Sequence, residues 1–223
     1  MSGGDFLSVE DAARVLGVST RHVRRLADSG AVERVARGLI DRGSVERFVH
    51  AQRRGRTRAW AEHTAWGAVA MLSGVEADWL GSAQASRLRR TLRLINDPAE
   101  LLPRVRDRAS VETFDAHRAA LPRLHELVVK PDLGLLGISE AMADRIDGYL
   151  GRADVDRVVR SLGLRAQSGG AITLRSTGFD FIQVRALVPT SQAVAAIHAA
   201  TSTDPRLRGL GRRAVAALLE AFR

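Results

Sequence analysis

The chain has 223 residues, 45% of them hydrophobic, enough for one or two domains with buried cores. It contains no cysteine, which excludes disulfides, thiol nucleophiles and Cys-ligated zinc, and no run approaches the roughly 20 apolar residues of a membrane helix. The net charge of +9 is unevenly placed: residues 1–58 hold 12 basic against 7 acidic side chains, and residues 59–223 hold 22 against 18. Over half of the excess sits in the first quarter, which favours a polyanion partner at that end. Lys130 is the only lysine, so where the arginines sit says more than how many there are. The start, Met-Ser-Gly-Gly-Asp, lacks the basic-then-apolar pattern of a signal segment, and a cytoplasmic location is expected.

The first elements in chain order are two short helices. Ser8 followed by Asp11 is similar to a capping box, with Asp in place of the usual Glu or Gln. From Val9, the apolar Ala12, Ala13, Val15 and Leu16 are expected on one face, small Ala13 suits a close helix crossing, and Gly17 ends the helix in the left-handed conformation. Val18 plugs the core from the turn and Ser19 caps the second helix. On that helix Val23, Leu26 and Ala27 fall together and point inward. Arg21, Arg24, Arg25 and Asp28 point outward, His22 lies on the flank, Thr20 stands near the start, and Gly30 closes the helix. Two helices across a tight turn, with arginines outside on the second, is how a protein presents a helix to the DNA major groove. Arg21 and Arg25 are the candidates for guanine O6/N7 or phosphate. Thr20, His22, Arg24, Arg37 and Arg42 complete the candidate DNA-binding set. The arginines alone fit a solvated face on an ordinary helical hairpin better; the spacing of Ala13, Gly17, Ser19 and the buried Val and Leu residues is what favours the DNA reader.

Val32–Ile40, with Arg37-Gly38 at its centre, suits a small hairpin or wing, and Asp41-Arg42-Gly43-Ser44 leads into a helix with Val45, Phe48 and Val49. The pattern Leu7-Ser8-Val9-Glu10-Asp11-Ala12-Ala13, Leu16-Gly17-Val18-Ser19, Val23, Leu26, Gly30, Ile40 and Val45-Glu46-Arg47-Phe48 resembles the winged helix-turn-helix of excisionase and MerR-like regulators. It departs at Asp41, where the family usually has Pro, and at Leu39, where the wing often carries an aromatic. The resemblance implies a DNA reader with paired half-sites, and hence a homodimer.

A basic, Gly-broken hinge, Gln52–Arg58, follows. Trp60–Leu72 reads as a buried helix ending near Gly74; a second starts at Ser82, with Leu88, Leu92 and Ile95 inside and Arg87, Arg89, Arg90 and Arg93 outside; a third starts at Asp97-Pro98. Beyond residue 110, strands are expected at Val111–Ala116, Leu127–Lys130, Gly148–Leu150, Ala171–Arg175 and Phe181–Leu187. Helices are expected at His117–Glu126, Ser139–Ile146, Ala153–Leu162, Thr190–Ala200 and Pro205–Phe222, and Gly169-Gly170 suits a hairpin turn. The expected fold is α+β. Residues 1–56 are expected to form a winged helix-turn-helix DNA-binding domain, and residues 57–223 an effector or partner-binding domain, helical over 57–110 and mixed over 111–223.

Catalytic signatures are sparse. The six histidines, His22, His50, His63, His117, His125 and His198, show no metal-ligand spacing, and no P-loop, dinucleotide or Gly-x-Ser-x-Gly pattern occurs, so neither metal nor cofactor is expected. Arg206-Leu-Arg-Gly209-Leu-Gly211 is similar to the pyrophosphate loop of acetyltransferases, but that loop follows a strand, and here helical sequence precedes it. The glycines are then expected inside a helix, permitting close packing. The order of Trp66, Leu72, Ser82, Ser86-Arg87-Leu88-Arg89-Arg90, Asp204-Pro205-Arg206, Gly211 and Leu218-Leu219 behind a DNA reader resembles AbiEi-type antitoxins of type IV toxin–antitoxin systems. That resemblance implies a non-enzymatic regulator that binds double-stranded DNA, autorepresses its operon and counteracts a nucleotidyltransferase-like toxin. The alternatives are a regulator without a toxin partner and an acetyltransferase-like enzyme.

Overall fold

The computed structural model describes residues 6–28, 31–36, 38–46, 48, 58–139, 145–202 and 204–223, and the chain divides into two compact units, 1–58 and 59–223. Both mix helices with strands, and the fold is α+β.

Unit 1 runs β1 (Phe6–Ser8), α1 (Val9–Leu16), α2 (Thr20–Asp28), β2 (Arg34–Ala36), β3 (Leu39–Asp41) and α3, helical over 42–46 and at 48. Its antiparallel sheet has the order β1-β3-β2. The strand β1 is too short to register as a sequence pattern; it forms because Leu7 pairs with Ile40 and both side chains enter the core. That core gathers Leu7, Val9, Ala12, Ala13, Val23, Val32, Ile40 and Val45. Val15 departs from expectation. It is 49% exposed, because it lies one step beyond the stripe that faces α2.

Unit 2 contains α4 (Glu62–Leu72), α5 (Ser82–Leu94), α6 (Pro98–Arg104), β4 (Ser110–Asp115), α7 (Leu121–Leu127), β5 (Ile146–Gly151), α8 (Val155–Ser161), β6 (Arg165–Ala166), β7 (Ile172–Thr177), α9 (Phe181–Leu187), α10 (Gln192–Ala200) and α11 (Pro205–Ala221). The sheet order is β5-β7-β4-β6, with β5 and β7 parallel and the other pairs antiparallel. Strand alternation sorts the side chains into two layers. Ile146, Leu150, Ile172 and Leu174 pack with Leu124 of α7 and Val158 of α8. Tyr149 points the other way, into a larger core built by α4, α5, α6, α10 and α11 around Trp66.

Four expectations change. Phe181–Leu187 is a helix, because Asp180 Oδ1 accepts from the Ile182 N–H (2.9 Å) and Val184 and Leu187 bury at helical spacing while Ile182 stays in solvent. Leu127–Lys130 supplies only one bridge, Val129 with Tyr149, because α7 runs to Leu127. Within Ser139–Ile146, residues 140–144 lie outside the described residues, and Ile146 opens β5. Gly169-Gly170 joins two strands that both pair with β4, so the chain rounds the end of β4, with Ala171 N–H donating to Asp115 Oδ1 (3.0 Å).

Polar side chains tie the second sheet face to the helices. Arg175 donates twice to Asp147, from Nε (2.6 Å) and Nη2 (2.8 Å), and His198 Nε2 stands 3.4 Å from Asp147 Oδ2. Burial opposes the Arg175 charge, but the hydrogen bonds and charge of Asp147 outweigh it and raise its pKa. Buried Arg108 donates to the Tyr149 hydroxyl (3.1 Å) and the Val105 carbonyl (3.1 Å). At the carboxyl ends of the parallel strands, Thr177 accepts from Trp66 Nε1 (3.1 Å) and donates to Glu62 Oε1 (2.9 Å), which also takes Gly178 N–H (2.9 Å) and Arg152 Nη2 (3.1 Å). The α10–α11 crossing depends on Gly211: a methyl there would lie 2.1 Å from the Ala200 nitrogen and 2.7 Å from the Ala196 carbonyl oxygen.

Two stability predictions follow from these contacts. Gly211→Ala is expected to destabilise unit 2 by about 1–3 kcal/mol, read as a lowered urea midpoint, whereas Gly209→Ala, which meets only the far end of Arg213, leaves the midpoint unchanged or raised. Burial, together with nearby Arg175 and Arg108, depresses the His198 pKa to about 4 against the opposing pull of Asp147. Below an unfolded-state pKa of about 6.5 the unfolded chain therefore takes up the proton first, and stability is lost as pH falls through the window down to about 4. His198→Gln should reduce the wild-type loss between pH 7 and 4.5 by about 2 kcal/mol; parallel urea curves for the two chains would refute the assignment.

Candidate nucleic-acid interface

The outward face of α2 is set by three local devices. Ser8 caps α1, accepting from the Asp11 N–H (3.0 Å) while its hydroxyl donates to Asp11 Oδ2 (2.8 Å), so the acid closes the box on the side chain. That bond, reinforced by Arg14 and Arg42, holds the Asp11 carboxyl below its ordinary pKa. Gly17 then takes φ 66°, the Val18 N–H returns to the Ala13 carbonyl (3.0 Å), and Ser19 accepts from the His22 N–H (3.3 Å) at the start of α2.

With Val23 fully buried and Leu26 and Ala27 half-buried beside it, rotation about α2 is decided. Arg21, Arg24, Arg25 and Asp28 are exposed, and Thr20 and His22 half-buried. Arg25 Nη2 lies 2.8 Å from His22 Nδ1. Arg42, half-buried at the start of α3, sits close enough to Asp11 to act on its charge. Arg37 and Gly30 lie outside the described residues, as do residues 52–57 of the hinge; Arg58 is described and exposed.

The β2–β3 hairpin brings a residue that local spacing does not single out. Arg34 donates to Asp28 Oδ1 (2.6 Å) and reaches the Arg24 carbonyl (3.5 Å). Its partner is the one acid on the exposed face of α2, so a strand residue cancels the charge that would oppose an anionic ligand there. Six positions separate the pair, and no helical repeat relates them. Asp41, the departure from Pro, caps α3: its Oδ2 accepts from the Ser44 N–H (2.5 Å), and Ser44 Oγ accepts from the Glu33 N–H (2.9 Å).

Unit 2 presents a second basic surface on α5, where Arg87, Arg89, Arg90 and Arg93 are exposed beside Leu94, itself 71% exposed. The Arg206–Arg213 segment lies inside α11, and α10 rather than a strand precedes it. Among the described residues no group of three or more His, Cys, Asp or Glu side chains is arranged to hold a metal ion, and no helix is long and apolar enough to cross a membrane.

Residues 1–39 match a family described as transcriptional regulator, AbiEi antitoxin. The matched stretch covers β1, α1, α2 and β2 and ends at Leu39, the first residue of β3. No curated protein and no solved structure matches the chain. The similarity therefore bears on unit 1, the part that carries the exposed arginine face, and links that part to antitoxin transcriptional regulators.

Proposed function

We propose that the chain is a non-enzymatic, DNA-binding regulator whose N-terminal unit is a winged helix-turn-helix reader with α2 as recognition helix. The observation that carries this reading is the outward set Arg21, Arg24 and Arg25 on a capped helix packed across α1, within the segment similar to antitoxin regulators. Arg21 and Arg25 address base edges or phosphates; Thr20, His22 and Arg24 lie beside them, Arg42 contributes from the start of α3, and Arg37 completes the set. The excisionase- and MerR-like pattern of residues 7–48 supports the same docking mode. In this reading a homodimer autorepresses the operon, and unit 2 counteracts a nucleotidyltransferase-like toxin in the cytoplasm without a cofactor. The exposed arginines of α5 offer a surface for an acidic partner.

The test uses duplex DNA from upstream of the chain's own gene. Replacing both Arg21 and Arg25 by alanine should weaken binding about 100-fold or more while leaving the far-ultraviolet circular dichroism spectrum unchanged. Wild-type affinity should fall steeply between 50 and 200 mM salt, as phosphate contacts require. Undiminished binding by the double variant would mean that α2 is not the recognition helix. Co-expression with the neighbouring gene product tests the antitoxin role: relief of growth arrest supports it, and DNA binding without relief leaves a regulator with no toxin partner.

A further inference from the structure

Three arginines occupy the exposed face of α2, but they are not equivalent. The side chains of Arg21 and Arg24 have no hydrogen-bond or ion-pair partner among the described residues, whereas Arg25 donates from Nη2 to His22 Nδ1 at 2.8 Å. His22 differs from the arginines too. It is half-buried and its Nδ1 accepts, so the ring proton of this arrangement sits on Nε2.

We propose that His22 is a positioning residue, which acts on DNA through Arg25 and not by its own contact. The proposal rests on the reading of α2 as recognition helix. A free arginine side chain samples many rotamers, and ordering it on a ligand loses that freedom. The bond to His22 uses one of the five N–H donors of the guanidinium and leaves four for a ligand. It also fixes the direction of the guanidinium against the repulsion of Arg21, a like charge one helical turn away. Arg25 thus approaches DNA already oriented, as reading two acceptors on one base edge requires.

The chemistry at position 22 is specific. An acceptor is needed at the δ position, which asparagine supplies with Oδ1, alanine lacks, and lysine replaces with a positive charge. Binding is measured by fluorescence anisotropy on a labelled duplex of about 30 base pairs from upstream of the gene, and on single-base variants of it. His22→Ala should weaken binding about three- to tenfold and flatten discrimination at the same base pair that Arg25→Ala affects. His22→Asn should restore both, and in the Arg25→Ala background His22→Ala should have no further effect. An undiminished effect of His22→Ala in that background, or failure of His22→Asn to restore discrimination, overturns the proposal in favour of direct contact or simple packing. Binding that needs Arg25 and ignores His22 overturns the proposal alone. If the wild-type chain does not bind, it falls together with the reading of α2.

Discussion

The bidentate pair between Arg175 and Asp147 is the interaction on which unit 2 turns. Both residues stand on the sheet face that meets the helical layer, next to Tyr149 and His198, where a single unpaired charge would be costly. The pair satisfies the guanidinium and carboxylate against each other across two parallel strands, whose register places Asp147 beside Thr173 and Arg175 beside Tyr149. Beside the pair, His198 remains neutral next to two arginines, and Arg108 donates to neutral acceptors, the Tyr149 hydroxyl and the Val105 carbonyl.

Unit 1 is organised differently, as a domain of its size must be. Its core is small, so its geometry rests on terminal devices: Ser8, Ser19 and Asp41 each satisfy a helix start, and Gly17 folds the turn. These devices hold α2 with Val23 inward, which leaves the arginines nowhere to go but solvent. The Arg34–Asp28 pair then removes the negative charge from that face, and the β2–β3 hairpin becomes part of its electrostatics as well as its shape.

Elements whose pattern is local were legible. The caps, the Gly17 turn, the inward and outward sides of α2, and the buried helix carrying Trp66 all depend on spacings within one or two turns, and sequence carries these directly. Phe181–Leu187 was not, because β-branched and aromatic residues satisfy a strand preference while the Asp180 cap and the i, i+3 burial of Val184 and Leu187 favour a helix. The strands β1 and β6, of three and two residues, exist only by virtue of their partners and leave no period to find.

The amino-acid sequence by itself determined the α+β class, the arginine-bearing helix and its likeness to DNA readers, because helix caps, turn glycines and apolar periods act over a few residues. Only the tertiary structure decided which polar partners meet. Arg34 with Asp28, Arg175 with Asp147, and Glu62 with Thr177 and Arg152 are joined across 6, 28, 115 and 90 positions. The chain can bring such partners together only after strands have paired and helices have packed, since no local periodicity relates them. The bond between His22 and Arg25 stands between these cases: its spacing of one helical turn was visible, but that the guanidinium meets Nδ1 is a property of the folded side chains.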